Sequence, residues 1–265
     1  MGVNSLLSKS LGENNQDAAN RAAGNGIFLL LLSTVLFILF GIFGARPFFE
    51  VQSDIAETVN GGSVYVAICC IGSIGIFVEI LGEKLLQASG RTIYTLYTQG
   101  TGAIVNILLD PVFIFGWFGL PEMGIAGAAV ATVIGQWVAA IMAVIFNIKC
   151  NPDVQFARKY IKPKKDVLVP ILTVGIPSVV MNSIGSVMNI GINKILQGFR
   201  QYGEVPVNVF GIYFKLQSFV FMPVFGLNNG MVPIVAYNLG ARKRSRMIKT
   251  LKLSAMYATV IMLAG

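Results

Sequence analysis

Residues 26–45 read GIFLLLLSTVLFILFGIFGA, twenty residues with no charge among them. A stretch of that length and apolarity has one favourable solvent, the ~30 Å hydrocarbon core of a bilayer, which a helix of about 20 residues crosses. Backbone groups in hydrocarbon must be satisfied within the spanning element, so a run of this kind specifies a helix. Comparable runs occupy 63–82, 93–118, 124–148, 167–193 and 206–238, and a seventh starts at Leu253 and reaches Gly265. They are continuous and about twice as long as the alternating ~10-residue spans of a membrane β-barrel. The fold class expected is therefore an all-α membrane protein, a polytopic helical bundle of six complete transmembrane helices plus a truncated seventh. Composition agrees: 12% of residues are charged, where soluble domains carry about 25%.

The basic residues set the orientation. Of the 20 Lys and Arg, sixteen fall in segments 1–24, 83–92, 149–166 and 241–252. Arg46, Lys194 and Arg200 fall in the alternate loops, and Lys215 lies inside a run. The loop 46–62 instead carries Glu50, Asp54 and Glu57. Positively charged loops stay in the cytoplasm, so residues 1–24 are expected there, in a multi-pass protein of the cell (inner) membrane. The net charge of +8 is thereby a topology signal, and nucleic acid is not expected as a partner. The chain has no His, and Cys69, Cys70 and Cys150 form no CxxC pattern, which argues against a zinc site or a disulfide framework. No nucleophile–base pair or phosphate loop appears, so the chain does not read as an enzyme.

Residues 2–12 (GVNSLLSKSLG) are echoed by residues 230–240 (GMVPIVAYNLG), with Gly2, Leu11 and Gly12 matching Gly230, Leu239 and Gly240. Each segment precedes a polar stretch and then an apolar run. An internal repeat is common among secondary transporters, and echoes on the same side of the membrane imply parallel halves.

Within the runs, polar residues carry the functional information. Asp110 lies in NILLDPVFIFG (106–116), with Asn106 four residues earlier and so on the same helix face one turn away. The pair offers an amide oxygen and a carboxylate to one small cation or proton. Intramembrane carboxylates are functional candidates by default; the alternative is that Asp110 reaches the outer interface and Pro111 merely kinks the helix. Glu79, with Glu83 four residues on, reads as reaching the inner headgroups. Lys215 is either a snorkelling side chain or a pathway residue, and Gln217 shares its helix. Asn182, Asn189 and Asn193 form one stripe, for interhelical hydrogen bonds or a cavity lining. Met181, Met188, Met222 and Met231 read as core filling or as the wall of a pocket for greasy cations. The small-residue stretch GIAGAAVATVIG (124–135) reads as a close helix–helix seam.

LLQASGRTIYTLYTQGTGAIVNILLDPVFIFGWFGLPEMGIAGAAVATVIGQ (85–136) and FGIYFKLQSFVFMPVFGLNNGMVPIVAYNLGARK (210–243) resemble the multidrug and toxic compound extrusion (MATE) family. The resemblance runs over essentially the whole chain. It implies an N-terminal lobe at 1–148 (the end of helix 2 through helix 6), a basic cytoplasmic linker at 149–166, and part of a C-terminal lobe at 167–265 (helices 7, 8 and the start of 9). It implies a fragment of a longer exporter of drugs and organic cations, driven by H+ or Na+ and using no cofactor beyond that coupling ion. The partners implied are amphipathic organic cations, the lipid bilayer and the remaining helices of the same transporter. It places Asp110 and Asn106 in a cation-coupling site with Thr132, a site to which an Asp on helix 1 also contributes, and leaves Lys215, Gln217, Asn182, Asn189 and Met181 as substrate-pathway candidates. Two alternatives stand beside this reading: a lipid-precursor flippase of the same superfamily, and a truncated product without transport activity.

Overall fold

The computed structural model describes residues 1–51, 55–155, 157–198 and 205–264; Asp54 and Arg200 of the loop-charge reading lie outside them. Ten α-helices run through the described residues: α1 (Gly2–Gly12), α2 (Gln16–Phe43), α3 (Ala45–Glu50), α4 (Ala56–Ile71), α5 (Ile74–Ala88), α6 (Thr92–Ile114), α7 (Gly124–Cys150), α8 (Lys165–Gln197), α9 (Val205–Gly240) and α10 (Arg244–Ala264). Among them α2, α7, α8, α9 and α10 are long and apolar enough to cross a membrane. The pair α4 and α5 makes a sixth such span if counted as one, bent by 54° at its break. α6 has the length, 23 residues or about 34 Å at 1.5 Å per residue, but Thr95, Thr98, Gln99, Asn106 and Asp110 lower its apolarity. The spans read from the sequence thus all have a helical counterpart.

The residue distribution is that of a protein dissolved in lipid. Leu31, Leu36, Ile107, Leu108, Ile145 and Ile148 are exposed, while the core is built from Ala129, Ala131, Ala139 and Ala143 together with buried Thr98, Asn147 and Glu83. Lipid tails are as apolar as Leu, so burying Leu gains little there; close packing of small residues and hydrogen bonds hold the helices instead.

The chain divides into two compact units, Gln16–Lys164 and Met1–Asn15 with Lys165–Gly265. Residues 1–15, which the sequence reading grouped with the first lobe, therefore belong by packing to the second unit. The cause is local. A side chain at Gly12 would strike the Tyr237 carbonyl, and one at Gly240 would strike the Lys9 carbonyl, so α1 and α9 touch backbone to backbone. The contact is reciprocal. Residues 12 and 240 are the matched glycines of the repeat, and residues 9 and 237 are separated by the same offset, so each copy presents to the other the surface it receives. That is the signature of a two-fold contact, and it gives the echo between 2–12 and 230–240 a physical meaning.

The helices α2 and α10 start nine or more residues before their apolar runs. α2 begins at Gln16 rather than near residue 26, because its polar first turns hold the segment that follows α7. Asn20 Oδ1 accepts the Gln155 backbone N–H at 2.8 Å and Asn25 Oδ1 accepts that of Lys164 at 3.1 Å. Gln16 Nε2 donates to the Asp153 carbonyl at 2.6 Å, and Arg91 Nη1 donates to Asn151 Oδ1 at 2.8 Å and to Asp153 Oδ2 at 2.6 Å. Asn151, Asp153, Gln155 and Lys164 are thus bound to α2 and Arg91 of the first unit. Replacing Asn20 by Ala is expected to leave the Gln155 amide without its partner. Hydrogen exchange at residues 153–155 should accelerate at least tenfold while α6 and α7 keep their protection; unchanged exchange would mean the bond does not hold the segment. α10 likewise begins at Arg244, nine residues before the apolar run at Leu253, and is 21 residues long. Its basic first turns continue the helix because long Lys and Arg stems can carry their charges to an interface.

Candidate functional site

The site lies in the first unit, where α5, α6 and α7 converge. α6 and α7 approach closely because glycines face each other: a Cβ on Gly102 would stand 3.1 Å from the Gly135 carbonyl, and one on Gly135 2.8 Å from the Gly102 carbonyl. This seam brings the helix faces bearing Asn106 and Thr132 into contact. Asn106 Nδ2 lies 3.4 Å from Asp110 Oδ1 and 3.4 Å from Thr132 Oγ1. Both are long for N–H···O bonds, where about 2.9 Å is usual, so the amide bridges the two oxygens loosely. The Thr132 hydroxyl donates to the Ala128 carbonyl at 2.9 Å, which leaves its lone pairs for Asn106 or another donor. Pro111 has no N–H to give the Ile107 carbonyl, so one more oxygen on this part of α6 lacks its helical partner. The three residues named from the sequence are therefore neighbours, and they present an amide, a hydroxyl and a carboxylate at one place.

Beside them is a cavity of about 310 Å³, lined by Ile76, Glu79, Gln99, Gly102, Ala103, Asn106, Thr132, Gly135 and Gln136. Its presence corrects the reading of Glu79 and Glu83 as headgroup-directed carboxylates. Glu79 lines the cavity. Glu83 is buried, 3% exposed, and accepts from Thr98 Oγ1 and Gln99 Nε2 at 2.9 Å each. The seam explains the difference: the polar stripe of α6 faces α5, and there Glu83 finds partners that lipid denies it. Gln99 and Gln136 were not singled out from the sequence. Spacing contained the signal, since Gln99 lies seven residues before Asn106 and Gln136 four after Thr132, each on the stripe of a residue already named.

The candidates in the second unit are placed differently. Asn182, Met181 and Lys215 are exposed, Met181 at 73%, and Asn182 Nδ2 is occupied by the Ser178 carbonyl of its own helix at 2.7 Å. Asn189 and Gln217 are half-buried. None of the five lines the cavity described above.

A bundle of helices long and apolar enough to cross a membrane, with a polar cavity and a carboxylate on a helix packed among them, is the architecture of a membrane transport protein. A family model described as MatE matches residues 1–112 and 177–265, and the chain belongs to this family of multi-pass membrane transporters. It is 26% identical over 261 residues to the multidrug export protein MepA of Staphylococcus saprophyticus, covering 98% of this chain and 56% of that protein. It is 28% identical over 249 residues to the probable multidrug resistance protein NorM of Thermotoga maritima, covering 90% and 51%. The fold matches the outward-facing conformation of a multidrug resistance MATE family transporter of the MOP superfamily, with a TM-score of 0.83 at 21% identity, over 99% of this chain and 57% of that one. The chain spans about half the length of the curated relatives it matches.

Proposed function

We propose that the protein takes part in cation-coupled efflux of drugs and other amphipathic organic cations, with Asp110, Asn106 and Thr132 holding the coupling H+ or Na+. The observation that carries the reading is the convergence on Asn106: one amide nitrogen lies 3.4 Å from the Asp110 carboxylate and 3.4 Å from the Thr132 hydroxyl, on two neighbouring helices. A carboxylate in this setting costs several kcal/mol unless a positive partner or hydrogen bonds offset it. No Lys or Arg forms an ion pair with Asp110 among the described residues, and the single amide bond is long. A visiting cation supplies the missing charge, and its release on the other side of the membrane would drive the exchange. The relatives named as multidrug exporters support the drug side of this reading.

The test uses proteoliposomes carrying the protein, an imposed Na+ or pH gradient, and a fluorescent organic cation. Efflux is expected to follow one of the two gradients. Thr132→Val keeps the side-chain volume and removes the hydroxyl oxygen. It is expected to raise the half-saturating concentration of the driving cation three- to tenfold while leaving the rate at saturation within twofold. Efflux indifferent to both gradients, or a Thr132→Val profile superimposable on the wild type, would remove the coupling role.

A further inference from the structure

The repeat extends past its matched glycines, and there the two copies differ in charge. α2 starts at Gln16 and α10 at Arg244, as far apart along the chain as Gly12 and Gly240. The turns before the two helices coincide bond for bond. The backbone N–H groups of Asn14 and Asn15 donate to the Leu11 and Ser10 carbonyls at 3.1 and 2.9 Å, and those of Arg242 and Lys243 donate to Leu239 and Asn238 at 3.1 and 2.8 Å. Asn14 and Arg242 both adopt positive φ, 54° and 55°. On this shared backbone, residues 14–24 carry one acid and one base, Asp17 and Arg21, paired at 2.6 Å. Residues 242–252 carry Arg242, Lys243, Arg244, Arg246, Lys249 and Lys252 and no acid. All six are exposed, and none forms an ion pair among the described residues. The orientation read from the loop charges puts both segments on one side, so side alone does not account for the difference.

The cover over the first copy shows what the second is built for. The start of α2 is covered by the peptide after α7: Gln16, Asn20 and Asn25 bond the backbone of Asp153, Gln155 and Lys164. Gly24 admits Tyr160, whose carbonyl an added Cβ would strike. At the equivalent positions α10 has Arg244, Ile248, Leu253 and, for the glycine, Lys252. Each amide that grips the peptide is lost, and the residue that admits it bears a long side chain, so a peptide cover of that kind has no seat on α10. The replacements are cationic and apolar. Arg246, Lys249 and Lys252 recur every third residue along one side of the helix, while Met247, Ile248 and Leu251 follow the other; Ile248 and Leu251 are 43% and 46% exposed. The helix rises about 13 Å from Arg244 to Lys252, ahead of an apolar run at Leu253 suited to hydrocarbon. Cations at that boundary meet lipid phosphates, and apolar side chains beside them meet acyl chains. We propose that the first turns of α10, with Arg242 and Lys243 before them, are a docking surface for anionic phospholipid headgroups, which cover α10 as the peptide after α7 covers α2.

The test is lipid binding without a gradient, so it is independent of the coupling reading. The full chain in detergent micelles is titrated with phosphatidylglycerol and, in parallel, with phosphatidylcholine, and bound lipid is counted by native mass spectrometry. Arg246→Gln, Lys249→Gln and Lys252→Gln together keep side-chain length and helix propensity and remove the charge. Affinity for phosphatidylglycerol is expected to fall at least tenfold, with phosphatidylcholine binding unchanged within twofold. Lys162→Gln, Lys164→Gln and Lys165→Gln together remove the same charge from exposed lysines elsewhere, and should change phosphatidylglycerol binding by less than twofold. Equal losses in the two variants, or no loss in the first, would overturn the proposal. Neither inorganic phosphate nor an oligoglutamate peptide in excess should displace the lipid; displacement by either would mean that charge alone is read and would overturn the lipid assignment. If the α10 variant does not assemble, the wild type supplies the second measurement. Its phosphatidylglycerol affinity should fall at least tenfold between about 50 and about 500 mM salt, as screening shortens the reach of exposed charges, and binding indifferent to salt would equally overturn the assignment.

Discussion

Asp110→Asn is expected to reduce gradient-driven efflux of an organic cation to the leak rate of empty liposomes, a loss of at least a hundredfold against the wild type. The substitution keeps size, shape and the ability to meet Asn106 Nδ2, 3.4 Å away, so the helix pair should assemble and elute as before. What disappears is the negative charge. A twofold-ligated cation without a counter-charge at membrane depth bears the full desolvation cost, and each 1.4 kcal/mol lost is a factor of ten in occupancy. Two orders of magnitude thus require only about 2.7 kcal/mol of lost attraction, a modest share of what a charge contributes in a low-dielectric setting. Asp110→Glu, which restores charge one methylene further out, should recover part of the rate with a weakened dependence on the driving cation. Full efflux in Asp110→Asn would exclude Asp110 from coupling and leave its loose contact with Asn106 as packing.

Asp110 could be picked out of the sequence because hydrophobic periodicity is silent about it and energetics is not: a carboxylate among Leu108, Leu109 and Val112 demands a reason. Asn106 followed from helical spacing, and Thr132 from the resemblance to a family. Glu79 shows the limit. Its distance along the chain gave its depth, but a side chain's destination depends on the direction its helix faces. The chain turns by 54° between α4 and α5, in a run, 63–82, that reads as uninterrupted. The turn falls at Gly72–Ser73, where a Cβ on Gly72 would stand 2.6 Å from Val133, so the bend is tied to a neighbour more than 60 residues away in sequence. The early start of α2 was hidden for a related reason. Asn20 and Asn25 look like loop residues, and they are helical because the returning segment 151–164 satisfies their side chains. The reciprocal packing of Gly12 and Gly240 was legible only as three weak identities until the backbone showed the two segments facing one another.

The seam that builds the site gives the second large expectation. Gly135→Val is expected to destabilise the protein by about 2–3 kcal/mol, the scale of overpacking in a close-packed interior, and to part Asn106 from Thr132. Gly100→Val, on α6 two residues from the other side of the same seam, should do neither. The two glycines are equally small and helical, and both sit where a Cβ would by itself favour the helix, by up to ~1 kcal/mol for Ala. They differ in what the Cβ meets. At Gly135 it would lie 2.8 Å from the Gly102 carbonyl oxygen and 3.2 Å from the Asn106 Cβ. Backbone cannot swing aside like a side chain, so α6 and α7 must separate, and Asn106 moves away from Thr132 with them. At Gly100 nothing lies within 4 Å, and the added methyl groups enter lipid-facing or open space. Thermal unfolding in detergent micelles, followed by loss of the monodisperse elution peak, separates the cases. Gly135→Val should melt well below the wild type and Gly100→Val within a degree or two of it. Equal melting temperatures would mean that α6 and α7 are not held by this contact, and the geometry linking Asp110, Asn106 and Thr132 would need another support.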